Sequence, residues 1–358
     1  MDPGGRKLFR FLTRDYKKGG DRMKKILVVL LVLSTIMTAL FANGAAESGA
    51  EKQSLMIYTS MKENLISPIV EGFKEKYPNI EVDYYSAGAG KLMAKIATER
   101  QAGAVACDVL WTSEVPDFIN LRNEGVLLAY MSPERANVVS TVDDPDGYFT
   151  AARLGTLGIC YNTTKITEPP KTWDDLLDPI YKDNFSIANP ALSGTSMVSV
   201  AMIVETLGWE YIEKLAANGA RMGQGSGQVV DDTAAGDTYA AIGVDYITLD
   251  KIAKGANLGF AYTDQMLVVP SPVAIFKDSK NQDAAKKFVD FLLSKEGQKH
   301  VAENYTLPVR SDVEVRTDIG LVHPDEAKAR AMTVDYEALS GHKEAYIEKF
   351  TQIIQGNK

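Results

Sequence analysis

The chain has 358 residues, of which 45% are hydrophobic and 24% charged, and its formal net charge is −8. Without residues 1–42 it keeps 30 Lys and Arg against 44 Asp and Glu, so the remainder is more acidic still. This balance argues against a protein that coats nucleic acid or an anionic membrane surface. The remainder is also long for one hydrophobic core, so two lobes are expected.

The first 46 residues carry the pattern of an export signal. Residues 1–22 are basic and irregular, and Met23-Lys24-Lys25 then leads into the apolar run 26–40 and a stretch of small residues. The run is shorter than the ~20 residues that span a bilayer, so residues 23–46 are predicted to be a cleavable signal peptide. Met23 and the two lysines after it already form the complete basic n-region of a signal peptide. Residues 1–22 are therefore interpreted as an extension that results from a start codon assigned too early. A periplasmic protein is expected.

The two cysteines are Cys107 and Cys160. Neither lies near the predicted cleavage site, so no lipid anchor is expected. Both flank apolar, strand-like runs, which favours buried free thiols over a disulfide. Neither is beside a histidine that could activate it, so a thiol nucleophile is not expected.

From residue 54 strands and helices alternate along the chain. Strands are predicted over 55–58, 80–85 and 106–111, and helices over 65–77 and 91–101. Such alternation is typical of an α/β protein whose sheet is largely parallel and flanked by helices.

An anion receptor is predicted where the strand 185–188 turns into the helix 197–207. The hydroxyl and glycine residues of this turn would leave backbone N–H groups free at the positive end of the helix. Simple helix capping by a hydroxyl is the alternative. Three earlier strands also end in small polar residues, and ligands in open α/β sheets bind outside the carboxyl ends of the strands. These turns are therefore predicted to line one polar crevice.

The middle of the chain, 149–264, is predicted to form a second lobe. It contains a strand over 154–161, a helix over 209–217 and a strand over 240–244 that ends at Asp245 and Tyr246. The glycine-rich stretch 223–228 lacks the spacing of a dinucleotide loop and follows no clear strand, so a nucleotide site is not predicted.

The C-terminal part is predicted to return to the first lobe. It contains strands over 259–262, 267–273 and 273–276 and an amphipathic helix over 284–293. Residues 311–358 are interpreted as a helical segment that adds packing and no chemistry.

The order of these segments resembles the substrate-binding proteins of ABC importers, in the branch that contains the periplasmic ferric-binding proteins. The resemblance rests on residues 55–58, 108–116, 172–177, 189–196 and, most specifically, 281–298. It implies a type II periplasmic-binding-protein fold, in which two α/β lobes close over a cleft at a hinge. Lobe 1 would contain residues 52–148 and about 265–310, lobe 2 residues 149–264, and residues 311–358 would pack on both.

The resemblance also implies the partners and leaves the ligand open. The partners would be a small-molecule ligand, an inner-membrane permease and its ATPase, and the protein would be a monomer without a cofactor. Ferric-binding members use two adjacent tyrosines and often a histidine after the first strand, where this chain has Asp245-Tyr246 and Lys62. A lysine suits a phosphate better than a metal. A phosphorylated or otherwise anionic organic ligand is therefore favoured, and ferric iron held by Tyr246 and Glu114 is the alternative.

The predicted ligand-binding residues are the polar groups of these turns, with Asp245 expected to accept hydrogen bonds from hydroxyls or an amine at the far end of the ligand. They are Thr59, Ser60, Lys62, Ser86, Gly88, Thr112, Ser113, Glu114, Ser193, Gly194, Thr195, Ser196, Asp245 and Tyr246. A secreted hydrolase is the rival from another class. It is disfavoured because no histidine occurs within the first 299 residues to serve as a base for a serine or cysteine.

Overall fold

The computed structural model describes residues 52–139, 142 and 144–356, and all structural statements below concern these residues. The predicted signal peptide and the preceding basic segment lie outside them. No helix in the described part of the chain is both long and apolar enough to cross a membrane.

Ten strands and eleven α-helices are assigned in this part of the chain. The strands are β1 (Gln53–Thr59), β2 (Ile80–Ser86), β3 (Val109–Trp111), β4 (Leu127–Leu128), β5 (Thr150–Asn162), β6 (Phe185–Ala188), β7 (Arg221–Gly223), β8 (Ala240–Val244), β9 (Leu258–Ala261) and β10 (Leu267–Phe276). The helices are α1 (Glu63–Lys76), α2 (Ala89–Gln101), α3 (Val115–Asn123), α4 (Gly194–Leu207), α5 (Trp209–Ala217), α6 (Ser226–Ala235), α7 (Asp245–Ala253), α8 (Gln282–Leu293), α9 (Lys295–Glu303), α10 (Pro324–Arg330) and α11 (Tyr336–Gly356). Short 3₁₀ turns occur at Pro133–Asn137, Asp174–Leu177, Pro179–Tyr181 and Thr317–Ile319.

The strands form one sheet in the order β2-β1-β3-β10-β5-β8-β6-β7, with β4 beside β10 and β9 beside β5. Strands β2, β1 and β3 are parallel to one another, and so are β8, β6 and β7. The long central strands β10 and β5 run antiparallel to their neighbours. We call β2, β1, β3 and β10 the first half of the sheet, and β5, β8, β6 and β7 the second half.

The predicted α/β class and type II fold are confirmed. The predicted helix 209–217 and the predicted strands 185–188 and 240–244 match α5, β6 and β8 residue for residue, and the other predicted elements differ at their ends. The predicted strand 267–273 and its continuation 273–276 form the single strand β10. A register shift at Pro270 and Pro272 keeps the strand continuous through its prolines.

Helix burial follows the distribution of apolar residues. In α8 one face is apolar, and Phe288 and Leu292 on that face are fully buried. Helix α4 is apolar almost all round, and its residues from Gly194 to Val204 are buried. It contacts β10 on one side and α5 and α11 on another. A helix that is hydrophobic on every face needs this kind of enclosure.

The C-terminal helix α11 packs against α3, α4 and α5. Its Lys343 pairs with two buried carboxylates that follow β3, those of Glu114 and Asp117. The segment 311–358 therefore contains helices, as predicted, but it also supplies the counterion of a buried charge cluster. The expectation that it contributes packing alone was incomplete.

Candidate functional site

A cavity of about 330 Å³ lies where the carboxyl ends of the two parallel strand sets meet. It is lined by the turns that follow β1, β2, β3, β6, β7 and β8, as the rule for open α/β sheets predicts. Eight of the predicted ligand-binding residues line it, namely Ser60, Lys62, Gly88, Ser113, Ser193, Gly194, Thr195 and Tyr246.

Four other predicted residues, Thr59, Ser86, Thr112 and Ser196, are not among those that line the cavity. The Thr59 hydroxyl accepts a hydrogen bond from the Met61 N–H, and the Ser86 hydroxyl donates to the Met61 carbonyl at 2.6 Å. The Ser196 hydroxyl donates to the Ala188 carbonyl. These hydroxyls hold the turns in shape and do not line the cavity. Thr112 is fully buried, and its hydroxyl has no hydrogen-bond partner among the described residues.

Asp245 does not line the cavity, although it was predicted to contact the ligand. It is fully buried at the start of α7, and its carboxylate accepts hydrogen bonds from the Thr156 N–H, the Thr156 hydroxyl and the Thr306 hydroxyl. The Tyr246 N–H donates to it as well, at 2.7 Å. Burial raises the pKa of Asp245, while Arg153 opposes the shift. Asp245 is therefore part of the framework that joins β5, β8 and the loop at Thr306.

Glu114 is also absent from the cavity lining. It precedes α3, is 1% exposed, and pairs with Lys343 of α11. Burial and the neighbouring Asp117 raise the pKa of Glu114 to about 8, outweighing the attraction of Lys343. The two carboxylates share one lysine, and the proton that Glu114 keeps below about pH 8 leaves one carboxylate and one ammonium paired in the cluster. Its role is inter-element packing, since the Glu114 side chain lies against Gly194 at the start of α4.

Arg153 lines the cavity and was missed by the sequence analysis. It lies on β5, is fully buried, and its Nη1 and Nη2 have no hydrogen-bond partner within the described part of the chain. Its guanidinium carbon lies 5.0 Å from the centre of the Tyr246 ring. Gly155 makes room for it, because a Cβ at that position would lie 2.0 Å from Nη2. The signal in the sequence was one arginine within an otherwise apolar strand.

The bulge in β10 positions Arg153. Ser271 lies between the two prolines where the register of β10 shifts, and its hydroxyl accepts a hydrogen bond from Arg153 Nε at 3.2 Å. The Ser113 and Ser271 hydroxyls are 2.8 Å apart, and the Ser271 carbonyl accepts from Trp111 Nε1. With Nε held in this way, the two terminal nitrogens are left without a hydrogen-bond partner among the described residues.

Five helices, α1, α2, α4, α6 and α7, begin at or directly after residues that line the cavity. Helices α1, α2 and α6 follow Lys62, Gly88 and Gly225, and none of these three residues caps its helix with a side chain in the structure as described. Helix α4 is capped by Ser193, whose hydroxyl accepts from the Ser196 N–H. Uncapped helix starts present N–H groups and positive dipole ends, which together attract anions.

Three hydroxyls form a triangle at the starts of α4 and α6. Ser193 and Ser226 are joined at 2.7 Å, Ser193 and Thr195 at 3.0 Å, and Thr195 and Ser226 at 3.1 Å. Each hydroxyl can donate or accept, so the triangle can turn its hydrogens to suit a bound group. Ser193 is thus a helix cap, as the alternative raised from the sequence expected, and it also lines the cavity.

The residues 223–228 form one wall of the cavity, which corrects the sequence analysis. The short strand β7 does precede them, and Gln224, Gly225, Ser226, Gly227 and Gln228 all line the cavity. The nucleotide interpretation was rejected on spacing, but the stretch was not recognised as a site of another kind. The sequence feature that could have indicated a binding site here is the run of glycine, serine and glutamine residues at the start of a helix.

Lys62 and Tyr246 meet across the cavity from opposite halves of the sheet. The Tyr246 hydroxyl accepts a hydrogen bond from the Lys62 backbone N–H at 3.1 Å, which leaves its own proton free to donate. Burial raises the pKa of Tyr246, so the phenol stays protonated. The Lys62 side chain extends toward α6, where its Cε lies 3.8 Å from the position of a Cβ on Gly227.

The charges around the cavity have one sign. Its lining contains the cationic residues Lys62, Lys91 and Arg153, and none of the described residues that line it is an aspartate or glutamate. An acidic protein therefore carries a locally basic cavity, which favours an anionic ligand.

Comparisons with known proteins agree with this geometry. Residues 58–299 match the family model described as bacterial extracellular solute-binding protein. A putative 2-aminoethylphosphonate-binding periplasmic protein of Salmonella typhimurium is 28% identical over 250 residues, which cover 66% of this chain and 72% of that protein. The solved structure of AfuA from Actinobacillus pleuropneumoniae, with exogenous fructose-6-phosphate bound, has a TM-score of 0.71 at 25% identity and covers 85% of this chain and 99% of its own.

Iron-bound HitA from Pseudomonas aeruginosa is equally similar, with a TM-score of 0.71, 25% identity and coverage of 84% of this chain and 99% of its own. The three relatives differ in the ligand that their names give, and the two solved structures share the fold of this chain. The family match extends over most of the chain and includes both halves of the sheet. The protein accordingly belongs to the bacterial extracellular solute-binding proteins.

Proposed function

We propose that the protein captures a small organic anion with a phosphate or phosphonate head group in the periplasm and delivers it to the permease and ATPase of an ABC importer. The observation that carries the proposal is Arg153, a fully buried arginine whose two terminal nitrogens have no partner among the described residues. A buried charge of this kind is costly unless a ligand completes its hydrogen bonds. The planar guanidinium matches two oxygens of a phosphate or phosphonate.

The rest of the cavity supports the same ligand class. Lys62 and Lys91 add positive charge, and the uncapped starts of α1, α2 and α6 add N–H donors. Tyr246 and Ser60 supply neutral hydroxyls. A head group with three oxygens can use donors from several of these directions at once.

Ferric iron is the second candidate, because Tyr246 lines the cavity and iron-bound HitA has the same fold. Phenolate oxygens suit Fe(III). Against this candidate, Glu114 pairs with Lys343 and does not line the cavity, and Lys62 stands where ferric-binding proteins often have a histidine. The organic anion is therefore preferred.

In this proposal the two halves of the sheet belong to lobes that close on the ligand, with residues 52–148 and about 265–310 in one lobe and 149–264 in the other. Strands β5 and β10, which pair at the centre of the sheet, would bend at the hinge. The protein binds the ligand without converting it chemically, so the ligand is released unchanged.

Mass spectrometry of small molecules released from denatured protein, together with a metal assay on the same sample, tests the proposal directly. A stoichiometric phosphorylated or phosphonate compound supports it. Stoichiometric iron without such a compound contradicts it, and a chemically altered product from added ligand would favour the hydrolase.

Two single variants separate the anion from iron. Lys62→Ala is expected to weaken binding of an organic phosphate or phosphonate by roughly ten- to a hundredfold, because it removes one charge-assisted contact of about 1.5–3 kcal/mol. Tyr246→Phe is expected to cost less, about 0.5–1.5 kcal/mol for a neutral hydrogen bond. Calorimetric titration of both variants shows which of the two substitutions weakens binding more. If the ligand is iron the order reverses, since Tyr246→Phe removes a metal ligand and Lys62→Ala removes a repulsive charge.

A further inference from the structure

We infer that the cavity discriminates against ligands with an ammonium group beyond the anionic head, and that it accepts a phosphate or phosphonate whose remaining part is hydroxylated or acidic. The inference rests on the proposed function, because it concerns the part of the ligand beyond the head group. Similarity alone does not decide this, since one relative is named for an aminoalkylphosphonate and another was solved with a sugar phosphate.

The first step is the balance of charge at the cavity. Lys62, Lys91 and Arg153 all line it, and none of the three forms an ion pair within the described residues. Asp245 attracts Arg153 from the interior and compensates part of its charge. The charged side chains that line the cavity are nevertheless all positive, so a second acidic group on the ligand would be attracted and an ammonium would be repelled.

The second step is the absence of an acidic partner for an ammonium. Asp245, whose neighbours Val244 and Tyr246 line the cavity, is fully buried and already accepts four hydrogen bonds, from Thr156 twice, from Thr306 and from the Tyr246 N–H. Glu114 pairs with Lys343 outside the cavity lining. An ammonium in the cavity would therefore lose water without gaining a counterion.

The third step is the supply of neutral partners. The hydroxyl triangle of Ser193, Thr195 and Ser226 can both donate and accept, and the amides of Gln224 and Gln228 lie on the same wall. Hydroxyl groups on a ligand can be satisfied by such partners in either direction. The wall thus suits a hydroxylated ligand without favouring a cation.

The experiment compares three phosphonates with the same head group by calorimetric titration: propylphosphonate, 2-aminoethylphosphonate and 2-carboxyethylphosphonate. It is run at about pH 9, where an alkylammonium keeps its proton. The 2-aminoethyl compound is expected to bind about tenfold more weakly than the propyl compound, which has the same length and lacks the charge. The carboxyethyl compound is expected to bind at least as tightly as the propyl compound.

The outcomes separate this inference from the proposed function. Binding of 2-aminoethylphosphonate as tight as that of propylphosphonate, or tighter, overturns the inference and leaves the proposed function in place. If none of the three binds while ferric citrate does, the proposed function fails and the inference with it.

A charge-reversal variant tests whether the discrimination is local. Lys91→Glu gives an ammonium a partner, so the affinity ratio of the propyl to the 2-aminoethyl compound should fall by about tenfold. Lys299→Glu is the matched control, because Lys299 is exposed on α9, does not line the cavity, and its replacement changes the net charge equally. If Lys91→Glu and Lys299→Glu changed the ratio of the two affinities equally, the effect would come from the overall charge of the protein, and the inference would be overturned.

Discussion

Arg153→Gln is expected to abolish measurable binding of the phosphate or phosphonate ligand. The arginine is fully buried, lines the cavity and has two terminal nitrogens without a partner among the described residues, so we expect each to form a charge-assisted hydrogen bond with the head group. At about 1.5–3 kcal/mol for each bond, losing both costs roughly 3–6 kcal/mol. That cost corresponds to at least a hundredfold loss of affinity. Calorimetric titration with propylphosphonate against the wild-type protein measures it.

The control for this variant is Arg316→Gln. Arg316 pairs with Asp318 on the exposed surface and is not part of the cavity, so its loss should leave binding unchanged. Circular dichroism melting curves would establish that both variants are folded. Full affinity in a folded Arg153→Gln protein would remove the main support for an anionic ligand.

Lys343→Met is expected to lower the free energy of unfolding by about 3–5 kcal/mol, because it leaves Glu114 and Asp117 buried without their shared counterion. The loss should be smaller at low pH, where the two acids can protonate. Urea unfolding followed by fluorescence measures it. Lys299→Met is the control, since Lys299 is exposed, and it should change stability by less than about 0.5 kcal/mol.

Glu114→Gln should reduce the pH dependence of stability. In the folded protein burial and Asp117 raise the pKa of Glu114 from 4.5 to about 8, so the folded state keeps a proton that the unfolded state has lost. The free energy of unfolding should therefore fall as pH rises from 4.5 toward 8. Asp117, whose pKa is also raised by burial, contributes in the same direction. The glutamine variant should be more stable than wild type at pH 8, and a steeper decline in the variant would contradict this assignment.

Most elements of the fold could be predicted because their signals are local. The predicted helix 91–101 became α2, and the strand 80–85 became β2, with shifts of two residues at most at either end. The alternation of strands and helices gave the α/β class. The antiparallel placement of β5 and β10 at the centre of the sheet depends on contacts between distant segments, which periodicity does not contain.

The site was predicted less completely. The position of a residue at the end of a strand indicates that it lies near the cavity, but it does not indicate whether the side chain points into the cavity or into the protein interior. Lys62 and the turn at Ser193 follow parallel strands and do line the cavity. Asp245 also follows a strand, but its partners at Thr156 and Thr306 come from other parts of the chain and hold it in the interior. Arg153 lies in the middle of a strand, so a search of strand ends could not find it.

Both cysteines of the chain are buried, so no native thiol is exposed on the protein surface. Cys107 and Cys160 are buried and free, and burial raises the pKa of both, to about 12 for Cys160. A buried protonated thiol reacts slowly with alkylating reagents and oxidants. A single cysteine introduced at the rim of the cavity would therefore be labelled selectively, without first replacing Cys107 and Cys160. The natural chain could in this way be converted into a fluorescent sensor of its own ligand.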